Sequence, residues 1–384
     1  MINKSSIIII VFTFCSSVKA NQGCSDFIES TTPDSRFEVN QGEVFDKETE
    51  LIWQQCTLGL SGTDCSIGTA STYSWESAFQ AAEAEQSSTG KLWRLPNIKE
   101  LSSIVEYKCH DPRVNVSIFP NTQSNFYWSS THSGYSEAWR EDFHFSYPAK
   151  MQQTTPAYVR LVRNATTQVS NKLNDTGITW GGDYPSGNNA TCTSNIASPQ
   201  DCHQGRDFTH NDDSDGHAGF SFTKLDAIGN PLADQSVDYA TTPWACVRDN
   251  VTGLIWEVKT ADGGFHDKDN TYRWGGITRQ GDYGTEFYSD WDVLVNASNF
   301  EPLCGLTGWR IPTSKELMSI VDNSRISPSI DYNYFPNTNH IQFWSAAPVA
   351  GNLNFAWTIN FNTGNLDFGL RSDNLSVRLV RVGQ

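Results

Sequence analysis

Five blocks of sequence occur twice in this 384-residue chain, in the same order. Asp46-Lys-Glu-Thr49-Glu-Leu51-Ile52-Trp53 matches Asp249-Asn-Val-Thr252-Gly-Leu254-Ile255-Trp256 at an offset of 203. Trp93-Arg94-Leu95-Pro96 with Lys99-Glu100-Leu101 matches Trp309-Arg310-Ile311-Pro312 with Lys315-Glu316-Leu317 at an offset of 216. Phe119-Pro-Asn-Thr122 matches Phe335-Pro-Asn-Thr338, and Trp128-Ser129 matches Trp344-Ser345, at that same offset. Val159-Arg-Leu-Val-Arg163 matches Val377-Arg-Leu-Val-Arg381 at an offset of 218. A tandem duplication restricts the fold to two like modules, the second having gained 13 residues between the first and second blocks.

Each module reads as α+β, with short helices and small antiparallel sheets. Trp75, Ala78, Phe79 and Ala82 recur at helical spacing, which predicts a helix from about Trp75 to Glu85, with a counterpart starting near Trp291. Asn97 with Glu100, and Thr313 with Glu316, have the spacing of a capping box and open a second helix in each copy. The closing Val-Arg-Leu-Val-Arg segment alternates as a half-buried strand does. Residues 21–163 and 243–384 are the two modules. Between them, 164–242 is Asp-rich, holds no Glu, and reads as a loop-rich acidic connector, with one strand and turn at Phe220–Pro231.

Lys4, the apolar run Ile7–Phe14, and Val18 and Ala20 before a cleavage point make residues 1–20 a signal peptide. Phe14 is too large for the small residue that normally precedes a lipidated cysteine at Cys15. No segment is long enough to span a bilayer. Export predicts that the eight remaining cysteines form disulfides. Sequence alone leaves their connectivity open. Cys56 with Cys65 and Cys192 with Cys202 would close short loops, Cys246 with Cys304 would tie the last module's start to its middle, and Cys24 with Cys109 remain. The expected location is the periplasm, cell surface or extracellular space.

The formal charge is −16, and loss of Lys4 and Lys19 with the leader makes it −18. So acidic a chain lacks the basic face that nucleic acid or an anionic membrane needs. Enzyme signatures are scarce too: there is no Gly-x-Ser-x-Gly, His-Glu-x-x-His or phosphate loop. Arg94 and Arg310 with Glu100 and Glu316 look like acid–base pairs but are read as internal caps, and no catalytic residue is assigned.

The blocks resemble the family built on the C-terminal domain of the Legionella collagen-like protein, over about 44–163 and 244–382. Copy one departs at Glu50, where copy two has Gly253, and copy two at Ala346, where copy one has Ser130. The central motif also resembles that of formylglycine-generating enzymes, whose fold is C-type-lectin-like. The resemblance therefore implies two tandem C-type-lectin-like modules in an exported or surface protein, with an adhesin among its relatives. That adhesin binds sulfated polysaccharide, a ligand that does not suit so acidic a chain. The late thiols an oxidase would need are missing: no Cys follows Cys109 in copy one or Cys304 in copy two.

Aromatic rings can stack on sugars. Trp53/Trp256, Trp75/Trp291, Trp93/Trp309, Trp128/Trp344 and Trp139/Trp357 pair between the copies and are read as core. Trp180, Trp244 and Trp274 are left as ligand-contact candidates. Asn211, Asp213 and Asp215 place oxygens on alternating residues before Gly216, as a Ca²⁺ loop begins, but position twelve is Phe222 instead of Glu. Asp262, Asp267 and Asp269 are a second acidic candidate. His203, His210 and His217 recur every seven residues, a spacing without geometric meaning in a loop. The expectation is a non-enzymatic binding protein for a glycan or surface protein, with Ca²⁺ as a candidate cofactor. A structural or assembly role in the envelope and a divergent oxidase are the alternatives.

Overall fold

The computed structural model describes residues 22–145, 148–166, 172–192, 199–281 and 288–383. The proposed leader lies outside them. Each module contains a four-stranded antiparallel sheet. In the first, the strand order is Val162–Asn164, Leu51–Gln54, Glu43–Asp46, Phe37–Asn40; in the second it is Val380–Val382, Leu254–Glu257, Cys246–Asp249, Phe222–Leu225. The register repeats as well: Trp53 lies opposite Val162 and Val44, and Trp256 opposite Val380 and Val247. A three-stranded sheet accompanies each, from Phe126–Gly134, Glu137–Asp142 and Ala149–Gln152, and from Gln342–Pro348, Phe355–Asn360 and Asn365–Leu370.

The repeated motifs are architectural. Asp46 and Asp249, both buried, accept from Thr49 and Thr252 Oγ1 at 2.7 Å. The turn that follows needs a left-handed residue, and Glu50 (φ 57°) adopts the conformation that Gly253 (φ 72°) takes more cheaply. Arg160 and Arg378 donate to Thr122 and Thr338 of the Phe-Pro-Asn-Thr turns at 2.7 Å.

Helix α1 (Trp75–Thr89) is capped by Ser74 and runs four residues beyond the expected Glu85, to Thr89, where Gly90 (φ 69°) ends it. Helix α2 (Ile98–Ser103) has the full capping box of Asn97 and Glu100. After α3 (Gly205–Thr209) in the connector come α4 (Asp292–Phe300) and α5 (Ser314–Ser319), the latter capped by Thr313 and Glu316. The four disulfides are Cys24–Cys109, Cys56–Cys65, Cys192–Cys202 and Cys246–Cys304.

Three features differ from the sequence reading. First, Phe222–Leu225, assigned there to the connector, is the outer strand of the second module's sheet, in the place Phe37–Asn40 holds in the first. Second, each module keeps a core cluster of its own, around Trp75 and Trp128 in the first and Trp274 and Trp344 in the second, but the two also share an interior at their junction. One apolar cluster takes Trp53, Leu101 and Ile104 from the first and Trp256, Leu317 and Ile320 from the second, together with Phe220 and Phe222. Tyr107 meets Trp357 edge-on at 5.6 Å across this junction. Third, the connector is threaded into the junction through polar contacts: Asn97 Nδ2 donates to Asp175, Asn174 Nδ2 to Asp249, and Asn323 N to Thr176 O. Hydrogen bonds hold a segment here that lacks the apolar residues for a core of its own.

Candidate binding groove and a buried carboxylate centre

A groove of about 580 Å³ opens where the connector meets the second module. Trp244, just ahead of the Cys246–Asp249 strand, forms its floor. The indole Nε1 donates to Tyr334 O at 2.9 Å, Tyr239 meets the ring edge-on at 4.9 Å, and Lys224 Nζ sits 4.3 Å from the ring centre. Lys224 Nζ also donates to Gln235 O and Val237 O, which fixes the loop carrying Tyr239. Tyr332 is 48% exposed at the rim. Asp331 accepts from His217 N at 3.0 Å, and the His217 ring lies 3.1 Å from Asp213. Burial pushes the Tyr334 hydroxyl up to about 12, aided by Asp331 and Asp215, so it stays protonated at neutral pH. Trp244 and Tyr334 are buried, 3% and 6% exposed, so the half-buried Tyr239 and exposed Tyr332 present the accessible rings; beside carboxylate acceptors these suit a neutral polyhydroxylated ligand, which offers C–H faces and O–H donors together.

The sequence candidates are dispersed. Trp244 and Asp213 both line the groove. Trp180 is half-buried against His132, 4.9 Å away, on the first module. Trp274 is fully buried, and its place corrects the pairing made from sequence. Trp75 N donates to Gln153 O and its Nε1 to Ser129 O; Trp274 N donates to Arg371 O and its Nε1 to Ser345 O. Those acceptors are repeat equivalents, so Trp75 corresponds to Trp274, and Trp291 is the residue without a partner. The offset drops to 199 at this pair before rising to 216, because copy two carries its insertion after Trp274.

Asn211 and Asp215 are exposed, and Asp213 and Asp215 accept from Ala218 N and Ser221 Oγ within their own loop. Asp262 and Asp267 likewise accept from backbone amides nearby, and Asp269 pairs with Lys268. Of the histidines, His203 packs on Phe208 and His210 contacts Thr209, so the three take different partners. Arg94 and Arg310 make two-pronged pairs with Glu100 and Glu316 inside the capping boxes.

The carboxylates that do converge are Asp175, Asp201 and Asp207, all buried, each offering an oxygen within 4.8 Å of the others. Burial raises all three: Asp175 to about 6, with the Glu100 charge adding to it, and Asp201 and Asp207 well above the usual carboxylate range, with repulsion from Asp175 adding to both. Asp207 accepts from Gly177 N and Gly219 N, next to His217 of the groove. Sequence reasoning missed this centre, since separations of 26 and 6 residues carry no motif. It also missed Tyr332 and Tyr334. Their signal was readable: the residues 216 earlier are Val116 and Ile118, so these rings belong to one copy only.

A family model described as the Lcl C-terminal domain matches residues 42–163 and again 245–381. The chain belongs to the Lcl C-terminal domain family. No curated protein and no solved structure matches it. Within the Lcl frame, the matched segments contain the capping boxes, the paired tryptophans and the sheets except the outer strands Phe37–Asn40 and Phe222–Leu225. The carboxylate centre, Trp244 and the Asp213–Tyr239 side of the groove fall between them.

Proposed function

We propose that this chain is an exported, non-enzymatic, adhesin-like protein that recognises a neutral glycan, free or on a surface glycoprotein, through the Trp244 groove. In this reading the modules are C-type-lectin-like scaffolds, and the added connector supplies recognition. The observation that carries it is the set Tyr239, Trp244, Tyr332 and Tyr334 beside Asp213 and Asp331, built largely from residues without an aromatic equivalent in copy one. The four disulfides suit an oxidising compartment outside the cytoplasm, and no helix among the described residues is long and apolar enough to cross a membrane. A non-catalytic role is supported by the engagement of the eight cysteines among the described residues in disulfides and of the Arg–Glu pairs in helix caps.

The test is a glycan array probed with the mature chain, with and without chelator, followed by titration of the best hit. Binding of neutral glycans that Tyr332→Ala weakens at least tenfold supports the reading. Failure to bind any glycan in either state overturns it and favours an assembly role with protein partners.

A further inference from the structure

The carboxylate centre lies outside both Lcl segments, and nothing in the groove reading requires it. We infer that Asp175, Asp201 and Asp207 form a site for one Ca²⁺ ion that locks the connector onto the module junction. Three carboxylates buried together need protons or a cation to balance them. Arg94, which feels Asp175 and Asp201, is bound to Glu100, and Lys99, which feels Asp175 and Asp207, donates to Ser319 O.

A second observation concerns which atoms lack partners. Asp201 is 1% exposed; its Oδ2 accepts from Thr176 Oγ1 at 2.8 Å and Thr131 also acts on the carboxylate, yet Oδ1 has no partner at hydrogen-bond geometry. Asn174 Oδ1 and Gln204 Oε1, on residues flanking the cluster in sequence, are buried and unpartnered as well. All three are oxygens. Unpartnered buried acceptors beside these carboxylates suit a cation, whereas an anion or another acceptor would deepen the deficit.

An all-oxygen donor set is that of a hard cation, and Ca²⁺, at about 2.3–2.6 Å from each ligand, spans oxygens with the separation seen here. The local backbone is shaped around these carboxylates: a Cβ at Gly205 would lie 1.9 Å from Asp175 Oδ2. The ion would couple three chain segments. Asp175 is bound by Asn97 of the first module, and Asp207 holds Gly177 and Gly219.

The experiment is equilibrium dialysis of the chelator-stripped mature chain against Ca²⁺ at neutral pH, with no glycan present, so its outcome is separate from that of the groove. The expected result is one ion per chain at about 1 mM Ca²⁺ and a melting temperature that EGTA lowers. Asp201→Asn, which keeps the side-chain shape, should weaken binding at least tenfold and abolish the EGTA effect. Asp213→Asn should leave the stoichiometry unchanged. No uptake by the wild-type chain overturns the inference, as does unaltered affinity in Asp201→Asn or loss of the ion in Asp213→Asn. Should Asp201→Asn fail to fold, an EGTA-insensitive wild-type melting temperature is the overturning result.

Discussion

Lys99 and Lys315, equivalent residues 216 apart, each donate to a carbonyl at the end of the other's helix. Lys99 Nζ lies 3.1 Å from Ser319 O, and Lys315 Nζ 2.8 Å from Ser103 O. Ser103 and Ser319 are themselves equivalents. The exchange is therefore reciprocal, and it places a cation where each helix leaves carbonyls unpaired. Both lysines line a cavity of about 310 Å³ at the junction of α2 and α5. Duplication thus produced an interface in which one motif serves both halves.

These ammonium groups give the junction a pH dependence. Burial lowers Lys99 from 10.5 to about 8, against the pull of Asp207 and Asp175; burial and the charge of Arg36 lower Lys315 to about 7. Between those values and 10.5 the unfolded chain binds more protons, so their contribution makes stability rise with pH across that window. Chemical denaturation from pH 7 to 10 should show this rise, and Lys99→Met or Lys315→Met should flatten it. An unchanged slope in both variants would show that the lysines do not titrate as the packing implies.

Glu257 has the opposite sign. Burial alone would raise its carboxyl, but Lys259, His266 and the Leu379 amide outweigh burial and hold it at about 2. Its stabilisation is complete above the ordinary value of 4.5 and is lost as pH falls toward 2. Glu257→Gln strands Lys259, itself 1% exposed, and should cost about 3–5 kcal/mol at pH 7. The difference from wild type should shrink on acidification, as measured by urea denaturation.

Trp274 and Tyr332 should separate stability from recognition. Trp274→Ala empties a fully buried site and should cost about 3–5 kcal/mol. Tyr332→Ala, at the exposed rim, should change stability by no more than about 0.5 kcal/mol. Equal melting shifts in the two variants would contradict their assignment.

The shared interior predicts how the chain tolerates cutting. A fragment of residues 243–384 lacks Phe220, Phe222 and the outer strand of its own sheet, and it exposes the junction face. It should melt well below a fragment starting at residue 219, and both below the whole mature chain, by far-UV circular dichroism. Equal melting temperatures for all three would mean that the modules are self-sufficient.

Sequence by itself determined what depends on short-range chemistry. The capping boxes at Asn97 and Thr313, the Asp–Thr turns at Asp46 and Asp249, and the closing strands need only neighbours within a few residues, and duplication displayed each of them twice. The four cysteine pairs could be proposed once proximity and elimination had narrowed the choice. Tertiary structure alone decided the rest. Trp274 became the partner of Trp75 through hydrogen bonds to distant carbonyls, and an insertion hid this from the alignment. Asp175, Asp201 and Asp207 meet because a polar connector folds back against α2, and Lys99 crosses to Ser319 because two helices from opposite halves abut. Such contacts arise from how surfaces pack after the local elements have formed, and packing of that kind leaves no period or spacing in the chain.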